Sequence, residues 1–308
     1  MQDQSESKAR LHGLFNITVT PFTAEGAIDR AALVENVERV ISRGFDGLLI
    51  GGTYGEFPTM TAEERADLFR IVMDVAGNRV PVMLCSAGSD LRTVRDLTVL
   101  AGELGGVPMV TPPFVSEITD AQILAFFREV APLSKTGIII YNAPGIGITL
   151  SPGLIEQLAE IEGMIGLKQG DLNPTTIDRI ANRLCGRIRL FCASDLAFLG
   201  PMMAGFDGTS STNSGALTEL ILASYRAVEA GDAATARDLH RLWYGFRALA
   251  RQHGQPQVVK AAMRMRGFQG GFVRAPLREI GLAAQQALLA ELESLSQDAR
   301  SGVTIRSA

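Results

Sequence analysis

The sequence predicts an α/β fold, a (β/α)8 TIM barrel with a C-terminal helical extension. Eight short apolar runs recur along the chain at intervals of roughly 25 to 30 residues. The runs are continuously apolar rather than alternating, which is typical of parallel strands covered on both faces. Between them, apolar residues repeat at a spacing of about 3.6, which is typical of amphipathic helices. Strand and helix therefore alternate eight times.

We predict strands in the segments 13–22, 45–53, 80–88, 106–113, 136–144, 164–170, 187–194 and 205–212. Clear helical patterns cover 29–44, 61–77 and 151–163, and the last two begin at a Thr or Ser that can cap a helix. Eight such units closing on themselves form a barrel whose reactive groups lie at the C-terminal ends of the strands. A doubly wound open sheet is the main alternative fold.

The chain continues well beyond the eighth predicted strand. The segment 217–254 predicts a helix, a turn at Gly231-Asp232 and a second helix. Because a barrel needs a single closing helix there, we divide the chain into a barrel domain, 1–220, and a helical extension packed on it, 221–308. The extension carries an apolar stripe of Leu239, Leu242, Trp243, Phe246 and Leu249. This apolar surface contributes to our prediction of a homo-oligomer, although the stripe could equally be a core of the extension itself.

Composition favours small molecules as partners. The 308 residues carry a formal net charge of -4, and the isoelectric point is near 5.5, whereas nucleic-acid binding needs clustered Lys and Arg. The polar N-terminal segment lacks a secretory apolar stretch, and no apolar run reaches about 18 residues. We therefore expect a cytoplasmic protein without membrane contact.

Metal and nucleotide cofactors are not expected. The three histidines are far apart in sequence, and no GxGxxG motif follows the first strand. The three cysteines lie in or beside apolar runs without CxxC spacing, so we interpret them as reduced and structural: Cys85, Cys185 and Cys192.

Lys168 is the first candidate for chemistry, because it ends a predicted strand, MIGLKQG, among apolar residues. Burial would lower its pKa and supply a neutral amine able to attack a carbonyl carbon. Such an amine forms Schiff bases. A lysine that reaches from a strand end into solvent is the alternative interpretation.

Two further signals precede Lys168 in the sequence. Tyr141 ends the preceding strand, IIIYNAP, where a phenol could transfer a proton, although it could equally pack inside the barrel with its hydroxyl on the backbone. The turn GGTYGEF, 51–57, offers backbone N–H groups of Gly52 and its neighbours and the Thr53 hydroxyl to a carboxylate. Glycines also simply permit tight corners, so the turn alone is weak evidence.

Together these three motifs resemble the dihydrodipicolinate synthase and N-acetylneuraminate lyase family. The family pattern of a G-T/S-T-G-E turn, a YN-x-P strand end and a G-x-K strand end appears here, in that order, as GTYGE (52–56), YNAP (141–144) and GLK (166–168). The likeness extends over residues 12 to 290. Because the family is commonly tetrameric, the resemblance also implies a homo-oligomer, a tetramer or a dimer. The resemblance implies a lyase of the class I aldolase type that binds pyruvate or a larger 2-oxoacid as a lysine imine.

The resemblance also implies a role for each matching residue. Lys168 would form the imine, and Tyr141 would shuttle the proton for imine formation and carbon–carbon bond cleavage. Thr53, hydrogen-bonded to Tyr141, would relay that proton, and the backbone amides of Thr53 and Tyr54 would hold the carboxylate. The positions at which the sialic-acid-lyase branch recognises substrate hydroxyls are occupied by Ser194, Asp195, Ser210 and Thr212.

The departures from the family pattern concern the second substrate. Tyr54 replaces a second threonine of the turn, Phe114 replaces a relay tyrosine after the fourth strand, and Ile146 replaces an arginine that clamps the aldehyde's distal carboxylate. An apolar side chain cannot form that bidentate pair. We therefore expect a hydroxylated or partly apolar 2-oxoacid, such as a 2-oxo-3-deoxy sugar acid, as substrate.

Three functions follow as hypotheses. The leading one is a Schiff-base aldolase or dehydratase acting on pyruvate or a larger 2-oxoacid. The alternative within enzymes is 4-hydroxy-tetrahydrodipicolinate (dihydrodipicolinate) synthase. A third hypothesis, motivated by Phe114, is a barrel that binds a keto acid without turning it over.

Overall fold

Eight parallel strands in sequence order close into a barrel, which confirms the predicted fold class and excludes the open sheet. The computed structural model describes residues 3–147 and 149–305. All eight predicted strands are present but shorter than their apolar runs: β1 Gly13–Thr18, β2 Gly47–Ile50, β3 Val82–Cys85, β4 Val107–Val110, β5 Ile138–Asn142, β6 Met164–Gln169, β7 Arg189–Cys192 and β8 Gly208–Ser211.

Helices connect the strands and form the C-terminal part of the chain. They are α1 Gln4–Arg10, α2 Arg30–Ser42, α3 Ala62–Ala76, α4 Leu91–Glu103, α5 Asp120–Val130, α6 Pro152–Leu158, α7 Pro174–Leu184, α8 Leu199–Met203, α9 Thr218–Glu229, α10 Ala233–Leu242, α11 Tyr244–His253, α12 Gln255–Met265 and α13 Leu282–Gln297. The predicted caps are observed: Thr61 forms a full capping box at α3, and Ser151 accepts from the Leu154 N–H at α6.

The C-terminal segment differs from the prediction at one residue. The turn at Gly231-Asp232 is present, and Asp232 caps α10 through the N–H of Thr235. The second predicted helix, however, is divided at Trp243 into α10 and α11. Trp243 leaves the helical conformation, with φ −93° and ψ 20°, and its side chain is fully buried. Burial of the indole accompanies this interruption of the helix, which apolar periodicity alone does not predict.

Two compact units make up the chain. The first contains the chain up to Phe15, together with Asp46–Ile50 and Thr61–Ser210; the second contains Asn16–Phe45, Gly51–Met60 and the chain from Ser211 onward. The division at 220/221 between barrel and extension stays a prediction.

The first unit contains the closure of the barrel at its N-terminal end. The Gly13 N–H of β1 donates to the Asp207 carbonyl at the start of β8, 2.9 Å away. On the other side of β1, the Asp46 N–H donates to the Leu14 carbonyl, and the Leu14 N–H donates to the Asp46 carboxylate at 2.8 Å. Backbone hydrogen bonds therefore join β1 to both neighbours.

The strands of the first unit turn one face to the helices and the other to the barrel interior. A Cβ placed at Gly106 would lie 2.5 Å from Leu84 and 3.4 Å from the sulfur of Met73 in α3, so this face is covered by helix. Side chains alternate along a strand, and Cys85, which follows Leu84, therefore faces the interior. Register pairs extend this interior row across four strands through Cys85, Met109, Ile139 and Gly166.

The second unit has its own apolar core. Leu239, Trp243 and Phe246 of the C-terminal stripe are at most 7% exposed within the chain, whereas Leu242 and Leu249 are half-buried. Three of its five residues therefore serve as core, and this stripe gives no support to an oligomer. The oligomeric state stays a prediction. No helix among the described residues is long and apolar enough to cross a membrane.

Candidate active site

Lys168 and Tyr141 face each other because the ladder between β5 and β6 contains an irregularity. Ile138 pairs with Met164, but Ile139 pairs with Gly166, so β6 carries one extra residue at this point. The shifted register pairs Tyr141 with Lys168. An unbroken ladder would have paired Tyr141 with residue 167 and turned Lys168 to the opposite face, since a one-residue slip exchanges the two faces of a strand.

The two side chains point into the barrel interior. Lys168 follows Gly166 by two residues, and Tyr141 follows Ile139 by two, so both share the interior face of that row. The Lys168 ammonium nitrogen lies 4.1 Å from the centre of the Tyr141 ring. The structure thus brings together the two residues with the strongest sequence signals.

Burial makes Lys168 a reactive amine. Its side chain is 2% exposed, and loss of water contact lowers the pKa of Lys168 to about 8. An ordinary exposed lysine titrates near 10.4, so at neutral pH a far larger fraction of Lys168 is the neutral nucleophile. The interpretation of Lys168 as a solvent-exposed lysine is therefore wrong.

Two thiols lie within electrostatic range of the amine. Burial raises the pKa of Cys85, and it raises the pKa of Cys192 to about 11, so both are protonated at neutral pH and behave as small apolar groups. All three cysteines are free, as expected. The packing role predicted for Cys185 is wrong, since it is exposed after the end of α7 and donates to the Gly205 carbonyl.

A buried amide bridge fixes the ends of the two reactive strands. The Asn142 side-chain amide donates to the Gln169 side-chain oxygen at 2.9 Å, and its own oxygen accepts from the Leu150 N–H at 3.0 Å. The Gly170 N–H donates to the Asn142 carbonyl, and a Cβ at Gly170 would lie only 2.6 Å from that oxygen. A glycine is required there because the strands approach so closely. The bridge positions the residues directly preceding it, Tyr141 and Lys168.

The glycine-rich turn belongs to the second unit. Thr53–Gly55 forms a 3-10 turn that begins after Gly52, and Glu56 follows in the left-handed region at φ 63°. The Thr53 and Tyr54 residues are half-buried, and Gly52 is buried. That Thr53 relays a proton and that Gly52 and Tyr54 help hold a carboxylate stay predictions.

Glu56 anchors this turn through a buried ion pair. Its side chain is 1% exposed and accepts from the fully buried Lys260 ammonium of α12 and, at 2.9 Å, from the Arg274 N–H. Lys260 also donates to the Phe272 carbonyl at 2.7 Å. The Lys260 nitrogen and the Arg274 guanidinium lie 4.6 Å and 4.2 Å from the Phe22 ring centre. Burial lowers the pKa of Lys260, and Glu56 opposes that shift by stabilising the charge.

The four residues predicted to recognise substrate hydroxyls differ in their environments. The Ser194 hydroxyl accepts from the Leu196 N–H, and the Ser210 hydroxyl donates to the Cys192 carbonyl. Asp195 is 2% exposed in the first unit, and Thr212 is 1% exposed in the second. Two of these hydroxyls therefore already contact the protein, and substrate binding by all four stays a prediction.

Two of the three residues that depart from the family pattern, Phe114 and Ile146, lie in loops of the first unit. Phe114 follows β4 and is 39% exposed, and Ile146 ends a 3-10 turn, Pro144–Ile146, where it is half-buried. Phe114 contacts the same loop, since a Cβ at Gly147 would lie 3.3 Å from the Phe114 Cβ. Apolar residues therefore stand in the loops after β4 and β5.

Sequence reasoning missed several residues that support the site. Asn142 belongs to the YN-x-P motif, but the motif indicates no role for Asn142 or for Gln169. Glu56 and Lys260 gave a usable signal, because each is a charged residue in an apolar context. Arg65 gave none: it belongs to an ordinary amphipathic helix, yet it is 4% exposed and donates to the Cys85 carbonyl at 2.6 Å.

No metal-binding group is present in the described part of the chain, where no three His, Cys, Asp or Glu side chains lie close enough to hold an ion. That the reaction needs no cofactor stays a prediction.

The lowered pKa of Lys168 predicts how imine formation depends on pH. The rate of reductive trapping with pyruvate and a borohydride should rise about tenfold per pH unit below pH 8 and level off above it, because only the neutral amine attacks. Mass spectrometry of peptides quenched at intervals measures the rate, and the exposed Lys135 reports non-specific labelling. A rate that keeps rising to pH 10 would show an unperturbed lysine.

Comparison with known proteins identifies a family. The model of the "Dihydrodipicolinate synthetase family" matches residues 10–295. A curated protein of Maridesulfovibrio salexigens, named 4-hydroxy-tetrahydrodipicolinate synthase, is 30% identical over 286 residues, which cover 92% of this chain and 97% of that protein. A protein of the same name from Acidothermus cellulolyticus is 33% identical over 290 residues, 89% of this chain and 88% of that protein.

Solved structures agree with these relatives. The crystal structure of dihydrodipicolinate synthase from Aquifex aeolicus superposes with a TM-score of 0.88 at 26% identity, and the match covers 96% of this chain and all of that chain. The likeness therefore includes the C-terminal helices as well as the barrel.

Proposed function

The chain belongs to the dihydrodipicolinate synthetase family, whose members are lyases of the class I aldolase type, and we propose that Lys168 forms the imine with pyruvate or a larger 2-oxoacid. The observation that carries the proposal is the buried Lys168 amine, with its pKa lowered to about 8, over the ring of Tyr141. Few other structural roles would justify a lysine in a barrel interior that has no carboxylate partner among residues 3–147 and 149–305.

The chemistry follows from this pair. The neutral amine attacks the 2-oxo carbon, the resulting carbinolamine loses water, and the protonated imine withdraws electrons from the neighbouring carbon. Tyr141 is the adjacent group that can donate and recover the proton at these steps. The carbon next to the imine then acts as a nucleophile toward an aldehyde, or releases one in the reverse direction.

For the second substrate, the names of the relatives support the synthase alternative better than our leading hypothesis of sugar-acid cleavage. Relatives of 30% and 33% identity are named 4-hydroxy-tetrahydrodipicolinate synthase. Condensation of the pyruvate imine with aspartate semialdehyde is therefore the first reaction to assay.

One observation favours a different 2-oxoacid as the second candidate. Ile146 and Phe114 are apolar residues at the positions where the family resemblance places a carboxylate-clamping arginine and a relay tyrosine. A carboxylate that leaves water without a charged partner loses on the order of a few kcal/mol. A substrate with an apolar or hydroxylated tail avoids this loss, as a 2-oxo-3-deoxy sugar acid would.

Reductive trapping tests the proposal. Borohydride added in the presence of pyruvate should attach the mass of the reduced pyruvate adduct to Lys168, one of four lysines in the chain. An unlabelled Lys168 would refute the imine mechanism. Parallel assays of aspartate semialdehyde condensation and of pyruvate release from 2-oxo-3-deoxy sugar acids then separate the two candidates. Trapping without turnover in either assay would leave the keto-acid-binding hypothesis.

A further inference from the structure

Thr111 carries a buried hydroxyl directly after the C-terminal end of β4. Its side chain is 3% exposed, and its Oγ1 has no hydrogen-bond partner among residues 3–147 and 149–305. A hydroxyl deprived of both water and a protein partner destabilises the fold, and most buried hydroxyls are therefore hydrogen-bonded. A buried hydroxyl without a partner needs an explanation, and completion by a ligand is one when the hydroxyl lies beside a reactive group.

The position of Thr111 places this hydroxyl beside the reactive pair. Met109 and Val110 pair with Ile139 and Ile140 of β5, so Thr111 comes level with Tyr141, one residue further along. Thr111 follows Met109 by two residues and so shares its interior face. The interior end of the barrel therefore presents Thr111, Tyr141 and Lys168 on three consecutive strands, all in the first unit.

Strand spacing indicates which part of a substrate Thr111 can reach. Neighbouring strands are about 4.8 Å apart, so the backbones of Thr111 and Lys168 are separated by roughly 10 Å, with Tyr141 between them. The Lys168 amine already lies over the Tyr141 ring. A substrate group that contacts the Thr111 hydroxyl must therefore lie farther from the Lys168 nitrogen than the imine carbon, C2, does. In a 2-oxoacid, the first oxygen beyond C2 on the side where the carbon–carbon bond forms is the one on C4.

We propose that the Thr111 hydroxyl hydrogen-bonds the C4 oxygen of the imine-bound substrate, the carbonyl oxygen of the aldehyde before condensation and the hydroxyl oxygen afterwards. A threonine hydroxyl suits both forms, because it donates to a carbonyl oxygen and can also accept from a hydroxyl. The assignment rests on the proposed function, since C4 is defined relative to an imine on Lys168. It makes Thr111 a determinant of specificity for the aldehyde-derived half of the substrate.

Two 2-oxoacids that differ only at C4 test the assignment. 2-Oxopentanoate and 4-hydroxy-2-oxopentanoate are each titrated against the full-length protein, and the concentration for half-maximal reductive labelling of Lys168 is read within the first turnover. The wild-type protein should favour the hydroxy acid by about 3- to 10-fold, the value of one neutral hydrogen bond. Thr111→Val keeps the side-chain shape and should abolish the preference for the hydroxy acid. Pyruvate has no C4, so its labelling of Lys168 should be the same in Thr111→Val as in the wild-type protein. Thr111→Ser should retain the preference.

Ser86 supplies a matched control. It is fully buried, its hydroxyl also has no partner within the described residues, and it follows Leu84 by two residues, so it faces the helices instead of the interior. Ser86→Ala should leave the preference unchanged. In the ligand-free protein, both Thr111→Val and Ser86→Ala should melt at the wild-type temperature or above it, because each removes an unsatisfied hydroxyl.

Several results would overturn the assignment. The first is equal labelling of the wild-type protein by the two acids, and the second is a Thr111→Val variant that still prefers the hydroxy acid. The third is a Thr111→Val variant that melts several degrees below the wild-type protein while Ser86→Ala does not. The last result would show that the hydroxyl serves the fold. Failure of the proposed function looks different, because then no 2-oxoacid labels Lys168 in the wild-type protein, and the assignment falls with it.

Discussion

Replacing Lys168 with methionine should abolish reductive labelling by pyruvate and lower kcat/KM on the order of 10⁴-fold or more in whichever lyase assay the wild-type protein supports. Methionine fills nearly the same volume as lysine and removes only the amine, so the interior row should remain packed. The amine is the group that becomes covalently attached to the substrate, and neither Tyr141 nor the two neutral thiols can replace it.

Lys135→Met is the control for this experiment, since Lys135 is exposed and precedes the start of β5, at the opposite end of that strand from Tyr141. It should change neither labelling nor turnover. Labelling that persists in Lys168→Met at the wild-type rate would move the imine to another lysine and refute the site. Thermal unfolding of both variants should stay close to wild type, which separates a lost nucleophile from a lost fold.

Replacing Lys260 with methionine should destabilise the protein by about 3–5 kcal/mol, because it leaves the Glu56 carboxylate buried and without its charged partner. The Arg274 N–H would remain as a donor, but it carries no charge to offset the carboxylate. Urea unfolding curves measure the loss. We expect the turn that contains Glu56 to lose its ordered conformation before the rest of the protein unfolds.

The Glu56→Gln/Lys260→Met double variant should recover much of the loss, since it removes the unpaired charge. The exposed pair Arg70–Asp67 supplies the control: Arg70→Met should cost less than about 1 kcal/mol, as exposed ion pairs contribute little. A Lys260→Met variant as stable as this control would show that water or a rearranged side chain satisfies Glu56.

Most of the fold could be predicted from sequence because the strands are covered on both faces. Each buried strand reads as a continuous apolar run, and Thr61 and Ser151 mark helix starts through their side-chain bonds. The helix α1 was missed because its seven residues are too few for a clear period. Contacts distant in sequence hold it instead, such as the Arg10 guanidinium on the Asn78 carbonyl at 2.9 Å.

The candidate site was only partly predictable, for a related reason. Lys168 and Tyr141 could be predicted from local sequence, since each stands at the end of an apolar run that identifies a strand end. Their alignment depends on the extra residue in β6. Neither apolar segment by itself predicts the register between the two strands. The orphan hydroxyl of Thr111 is likewise invisible in sequence, because lack of a partner is a property of packing.

The ion pair between Glu56 and Lys260 also bears on the order in which the protein matures during synthesis. Its two members are 204 residues apart in the chain, so the glycine-rich turn emerges from the ribosome long before its anchor does. Chains fold from the N-terminus as they are made, and contacts of such long sequence separation form last. A nascent chain therefore carries the lysine of β6 before the Glu56 turn is fixed, and the turn gains its anchor only when translation has passed α12.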